Sequence, residues 1–187
     1  DLTRFHVICS KKIPVDSLDE LLEKKIPFKL DRGKPGQMHH EIGKRILAEY
    51  GLTYDDIEKR GGNVSGVSNN DLVSLMQDGT IDVAFKVGAG EPSQLQEMVL
   101  SADVKWLSIS EKVLKAVAEK SGLSVGVLPG SFFGGAVGRD IPCLVDNSVI
   151  IMRKGVSEED AYKVTKSLVE GYKELAIIQP AWNTMDP

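Results

Sequence analysis

Hydrophobic positions along the chain alternate between two rhythms. Short runs rich in β-branched and aromatic residues, at Phe5–Cys9, Phe28–Leu30, Ile81–Val87, Val104–Ile109, Ser124–Leu128 and Asn147–Met152, read as strands. Between most of them apolar residues recur at helical spacing. Leu18, Leu21 and Leu22 share one face, as do Met38, Ile42, Ile46 and Tyr50, then Leu72, Leu75 and Met76, then Val113, Leu114 and Val117. The longest periodic segment starts at Ser157, whose hydroxyl is placed to cap the amides of "SEED", and runs through Tyr162, Leu168, Val169, Tyr172 and Leu175 until Pro180 stops it.

This alternation predicts an α/β fold: a doubly wound, mostly parallel sheet with flanking helices. Such sheets bind ligands beyond the carboxyl ends of their strands, at helix amino termini. The glycine-rich stretches "RGGNVSG" and "PGSFFGGAVG" lie between periodic segments and read as loops, not as domain boundaries. Gly155 marks a hinge before the final helix.

Composition narrows the class. With 42% hydrophobic and 27% charged residues in a chain of 187, there is enough apolar material for one well-buried α/β domain or two small lobes. A formal charge of -4 supplies no basic stripe for a nucleic-acid backbone and no polybasic face for an anionic membrane. No apolar run approaches the roughly 20 residues that span a bilayer. Cys9 and Cys143 are far apart and in no CxxC context, so neither zinc nor a redox motif is indicated. A disulfide would need strands 5–10 and 143–152 to lie side by side.

Three turns carry candidate chemistry. "LDRGKPGQMHHEI" places Gly36 before an apparent helix start at Gln37, Met38 and His39. It is not a phosphate loop, because Lys34 precedes Gly36 and no hydroxyl follows. Nor is it a metal site, since His39 and His40 are neighbours about 100° apart on a helix. Two readings stay open: backbone amides at a helix amino terminus seating a carboxylate or similar anion, or Pro35-Gly36 merely turning the chain.

The second turn, "KVGAGEPSQLQEM", follows a strand with Lys86, Gly88, Ala89 and Gly90, leaving room for a ligand before Pro92 and Ser93 open a helix; the Gly-x-Gly-x-x-Gly spacing of a nucleotide fingerprint is not completed. The third, "LPGSFFGGAVGRD", holds Ser131, Phe132 and Phe133, where aromatic rings either cover a pocket or plug the core. No catalytic constellation emerges. Ser131 lacks the Gly-x-Ser-x-Gly elbow, and the acidic pairs Asp55-Asp56 and Glu158-Glu159 sit at helix starts, where the dipole explains them.

The order of motifs "AEYGLTYDDI", "LMQDGTIDVAF", "AGEPS", "LPGSFFG" and "RDIPCLVDNSVIIMRKGVSEEDAYKVTKSLVE" resembles the TAXI family of solute receptors for tripartite ATP-independent periplasmic (TRAP) transporters, collinearly over nearly the whole chain. The resemblance implies a periplasmic-binding-protein-like (type II) lobe, one of two α/β lobes joined by crossover strands and closing over a small organic solute. Residues 1–152 would be the ligand-binding lobe with both crossovers, Phe5–Cys9 and Val149–Met152. Residues 153–187 would be a helical segment returning toward a first lobe largely outside the chain.

The family's Gly-Ser-Gly-Thr loop falls on Gly36, Gln37, Met38 and His39, keeping the glycine and losing the hydroxyls. Its Ala-Gly-x-Pro-[Thr/Ser] matches Ala89–Ser93, and its Ala-Gly-Thr-Tyr-x-Gly resembles Pro129–Gly134, with Phe132 in place of the tyrosine. On this basis the expected function is extracytoplasmic capture of a small organic anion or amino acid, with TRAP membrane subunits as partners. Backbone amides near Gly36 to His39 would hold the anionic group, Lys86 or His39 would supplement it, and Phe132 would form an apolar wall. No cofactor, metal, nucleic acid or direct membrane insertion is expected. With half of the cleft absent, the lobe alone should bind solute weakly. The alternative is an effector-sensing domain of a cytosolic transcription regulator, which would carry a helix-turn-helix upstream.

Overall fold

Strands and helices follow one another in the computed structural model, which describes residues 2–147, 149–178 and 182. The order is β1 (Leu2–Ser10), α1 (Leu18–Glu23), β2 (Lys29–Asp31), α2 (Met38–Glu49), α3 (Tyr54–Lys59), β3 (Asn63–Ser65), α4 (Asn69–Gln77) and β4 (Val83–Ala89). Then come α5 (Ser93–Ser101), β5 (Val104–Trp106), α6 (Glu111–Ser121), β6 (Ser124–Leu128), α7 (Phe132–Gly135), β7 (Ile141–Asn147) and α8 (Glu158–Ile178).

The strands form one seven-stranded sheet in the order β3-β2-β4-β1-β7-β6, with β5 also paired to β1. Helices cover both faces. On one, Phe5, Val7, Leu30, Val83 and Phe85 pack against α1, α2 and α6 through Leu21, Ile46 and Leu114. On the other, Ile8, Ala84, Trp106 and Cys143 meet Leu72, Leu95, Met98 and Phe133 from α4, α5 and α7. Burial on both faces explains why β1 and β4 read as continuous apolar runs and not as alternating ones.

The α/β class with flanking helices is as expected, and the pairing is mixed. β2 runs parallel to β3 and β4, because α2, α3 and α4 carry the chain back between these strands. β1 runs antiparallel to β4, β5 and β7, and β6 antiparallel to β7. The β6–β7 connection holds only the short α7 and makes no crossover, so the strand returns in the opposite direction. The expectation of a mostly parallel sheet therefore holds in the β3-β2-β4 half and not in the other.

Two further corrections concern the end of the sheet. "RGGNVSG", read as a loop, contains the short strand β3. The strand expected at Asn147–Met152 ends at Asn147: β7 is set earlier, where Ile141, Cys143, Leu144 and Val145 are buried. Residues 149–153 are not strand, and Val149, Ile150 and Ile151 are 73%, 62% and 86% exposed, so the proposed second crossover has no pairing among the described residues. Cys9 and Cys143 are free and lie in the clusters on opposite faces of the sheet, which rules out the disulfide.

The final helix starts as read. Ser157 Oγ accepts from the Asp160 amide at 3.1 Å and donates to its carboxylate at 2.7 Å. Of α8 only Ala176 is buried. Pro180, read as its stop, lies outside the described residues.

Candidate functional site

β2 ends in a buried acid. Asp31 is fully enclosed, and its Oδ1 accepts from the amides of Gly33 and Val67, each at 3.1 Å. One carboxylate thus ties the loop leaving β2 to the loop leaving β3, while its Oδ2 is buried without a hydrogen-bond partner. The chain then turns through Gly36, whose φ of 85° favours glycine, and the Gln37 Oε1 accepts from the Lys34 amide at 2.6 Å. Gln37 is the N-cap of α2 and makes no side-chain cap bond, so the first-turn amides of Met38, His39 and His40 face the loop without an intrahelical carbonyl.

The side chains here have different surroundings. Met38 packs against the core. His39 is buried against the β2 exit loop so tightly that a Cβ on Gly33 would lie 1.9 Å from its Nε2. Burial first, then the charges of Lys86 and His40, lowers its pKa to about 4. His39 is therefore neutral at pH 7, so it brings no charge to the backbone amides that Lys86 or His39 was expected to supplement. His40 turns the other way, its Nδ1 2.7 Å from Arg32 Nη1.

Lys86, in β4, is the second component. It is buried, and burial pulls its pKa down while the Asp31 carboxylate pushes it up. Directly opposite it in the β1–β4 ladder stands His6. The Trp106 indole N–H donates to His6 Nδ1 at 3.3 Å, and burial, followed by Arg4, lowers the His6 pKa to about 4 against a weaker upward effect of the Gly88 carbonyl. Lys86 thus couples electrostatically to His39 on one side and pairs across the ladder with His6 on the other.

Beyond Lys86, Gly88 leaves no room for a side chain, since a Cβ there would meet Pro92 Cγ at 2.3 Å. Its smallness serves strand-to-helix packing. Ala89 pairs with Thr3, and Gly90 has a positive φ with open space around it. The Glu91 carboxylate accepts from the Phe133 amide, which brings the second and third turns together. Phe133 is buried and stacks on Trp106 at a centroid distance of 5.1 Å, so this ring plugs the core. Phe132 is only half-buried and lies against the Arg4 guanidinium at 5.1 Å. Ser131 is exposed at the entrance to α7.

The three turns are thus neighbours, linked by His39, Lys86, His6, Phe133 and Glu91. Exposed or half-exposed groups remain at Gly36, Gln37, Ala89, Gly90, Ser131 and Phe132. Asp31, Arg32 and His6 escaped the sequence reading. The signal was there in Asp31, a charged residue at the end of an apolar strand, and in His6, a titratable residue inside one, where a polar side chain must find partners.

A sequence profile described as the NMT1-like family matches residues 2–187. No curated protein matches the chain in sequence. Among solved structures, the chain is similar to the periplasmic aliphatic sulphonate binding protein SsuA from Escherichia coli, with a TM-score of 0.44 and 14% identity. That likeness covers 91% of this chain and 60% of the other, so the chain spans less than two thirds of the length of that protein. Among the described residues no helix is long and apolar enough to cross a membrane.

Proposed function

The chain belongs to the NMT1-like family, and from that premise we propose that it is a ligand-binding lobe of an extracytoplasmic solute receptor. The solute is a small organic anion, of carboxylate or amino-acid type, and the receptor hands it to the membrane subunits of a TRAP-type transporter. The observation that carries this reading is the buried polar group Asp31, His39 and Lys86, in which Asp31 ends β2, His39 lies in the first turn of α2 and Lys86 stands midway along β4. Burying these groups is costly unless they are paired. Here Asp31 fixes two loops at once. The charge of Lys86 is felt at His39 in the first turn of α2, and a carboxylate at the amides of that turn is favoured by the helix dipole as well.

In this arrangement the amides of Met38 and His39 hold the anionic group, Gln37 and Ser131 add hydrogen bonds from the rim, and Phe132 covers the solute's apolar part. A second lobe closing over this edge excludes water and strengthens each polar contact. Calorimetric titration with amino acids and dicarboxylates, on the full-length gene product and on this chain, tests the proposal. The full-length protein should bind one of them at micromolar concentration and this chain should bind far more weakly. Absence of binding by the full-length protein, or micromolar binding at these loops by this chain alone, overturns it. Solute uptake by cells lacking the TRAP membrane subunits would overturn the transporter assignment separately.

A further inference from the structure

An open groove of about 330 Å³ lies at the outer edge of the lobe, lined by Arg32, Pro35, His40, Lys44, Tyr54, Asp55, Glu58 and Val64. Arg32, Pro35 and His40 come from the first of the three turns, whereas Lys44, Tyr54, Asp55, Glu58 and Val64 lie outside all three, and none of the eight is among the groups assigned above to hold the solute. Its volume is at the small end of ligand pockets, which run from about 300 Å³ upward.

The groove is built from two helix faces and a strand exit. His40 and Lys44, one turn apart on α2, face Tyr54, Asp55 and Glu58 on α3, with Arg32 following β2. Its walls are fixed before any ligand arrives. The Arg32 Nη1 donates to His40 Nδ1 at 2.7 Å, and its guanidinium carbon lies 5.3 Å from the centre of the Tyr54 ring. The Tyr54 hydroxyl donates to the His40 carbonyl at 2.8 Å, and the two rings pack 5.2 Å apart. Thr53 and Asp56 cap α3 reciprocally, which sets where Asp55 and Glu58 project.

Charge is divided across this frame. The cations Arg32 and Lys44 come from the β2 exit and α2, and the carboxylates Asp55 and Glu58 come from α3. Among the described residues the charged ends of Lys44, Asp55 and Glu58 make no hydrogen bond or ion pair. A simple anion would meet two carboxylates, and a simple cation would meet Arg32 and Lys44; a molecule carrying both signs a few bonds apart satisfies both walls.

We propose that this groove is a second ligand site, for a small zwitterion of the free α-amino acid type. The carboxylate meets Arg32 and Lys44, the ammonium meets Asp55 and Glu58, and the side chain lies against Pro35 and Val64. The preformed walls lower the ordering cost of binding, and the site does not require a second lobe.

The test is an NMR titration of the isotopically labelled chain with L-leucine, N-acetyl-L-leucine, which lacks the ammonium, and L-leucine amide, which lacks the carboxylate. Leucine should give saturable shifts at the amides of Lys44, Asp55, Glu58 and Val64, and each blocked compound should bind about ten-fold more weakly or worse, as expected for loss of one charge-assisted contact. Arg32→Met should weaken leucine binding to a similar degree, and Glu58→Gln, an exposed change that leaves the packing of Arg32, His40 and Tyr54 untouched, should do so as well. Equal binding of the three compounds, unsaturable shifts, or unchanged affinity in Glu58→Gln overturns the proposal. Shifts centred on Gly36 to His39 and on Ala89 and Gly90 would place the amino acid at the solute loops and also overturn it, while supporting the function proposed above.

Discussion

His6 and Lys86 stand directly opposite each other in the β1–β4 ladder, at 1% and 5% exposure, on the sheet face covered by α4, α5 and α7. An imidazole and an ammonium side by side in a core tolerate one another only if the imidazole stays neutral. Trp106 holds it so by donating to Nδ1, which leaves the proton on Nε2.

Stability should accordingly fall in mild acid. The folded imidazole of His6 protonates only near pH 4 and the unfolded one near 6.5, so between these values the unfolded chain holds more protons. The contribution is complete above the unfolded value, shrinks as pH falls, and is gone below about pH 4. It amounts to something on the order of 3 kcal/mol, and His39 adds to it with the same sign. Urea midpoints of the native chain should drop from pH 7 to pH 4, and His6→Gln, which cannot titrate but can still accept from Trp106, should show a shallower decline. Parallel pH profiles would refute the assignment.

The Phe133 ring is buried in the core, stacked on Trp106. Phe133→Ala removes a ring stacked on Trp106 and should cost about 3 to 5 kcal/mol. Alanine inherits the same unfavourable φ of 56°, so no strain is relieved in exchange. Near-ultraviolet circular dichroism should lose Trp106 signal together with a fall in unfolding temperature. Phe132→Ala, at a half-exposed ring, should leave both nearly unchanged and lower solute affinity in the full-length protein.

Gly88 and Gly90 look alike in the sequence, and the structure separates them. A Cβ at Gly88 runs into the Pro92 ring, whereas at Gly90 the space is open and only the positive φ objects. Gly88→Ala should therefore destabilise by about 1 to 3 kcal/mol, as overpacking does, and displace the turn that carries Glu91 to Phe133. Gly90→Ala should cost about 1 kcal/mol through backbone conformation alone. Thermal unfolding of the two variants ranks them; equal costs would show that the Pro92 contact gives way without penalty.

Local patterns in the sequence carried much of the fold. The capped start of α8, the apolar faces of α1, α2 and α6, and β6 were legible because capping and periodicity are set within a few residues. β7 was misplaced because the apolar run Val149–Ile151 outscored Ile141–Val145 on composition, although only the latter has a partner strand and a core to enter. Pairing direction was likewise invisible, being decided by which connections cross the sheet. At the site, the three turns were found by their glycines. Their physical link was not, since it runs through Asp31, Lys86 and His6, which meet only once β1, β2 and β4 lie side by side. The sequence places Gln37 and Met38 at the helix start, and it does not show that the Gln37 side chain also closes the turn or that the Met38 side chain packs against the core.

The two cysteines offer a test of the sheet itself. Cys9 and Cys143 are buried on opposite faces, and burial raises their thiols to about 12 and about 11 respectively. A thiolate is the reactive species, so at pH 8 the folded protein holds almost none at either position, and access is closed as well. Neither residue should react with a thiol-specific disulfide reagent while the protein is folded, and both should react promptly in denaturing urea. The rate of slow labelling without denaturant should match the rate of global unfolding for both positions, because β1 and β7 belong to one sheet. If Cys143 labels much faster than Cys9, the β6–β7 edge opens as a unit of its own, and the sheet is less cooperative than its continuous hydrogen bonding implies.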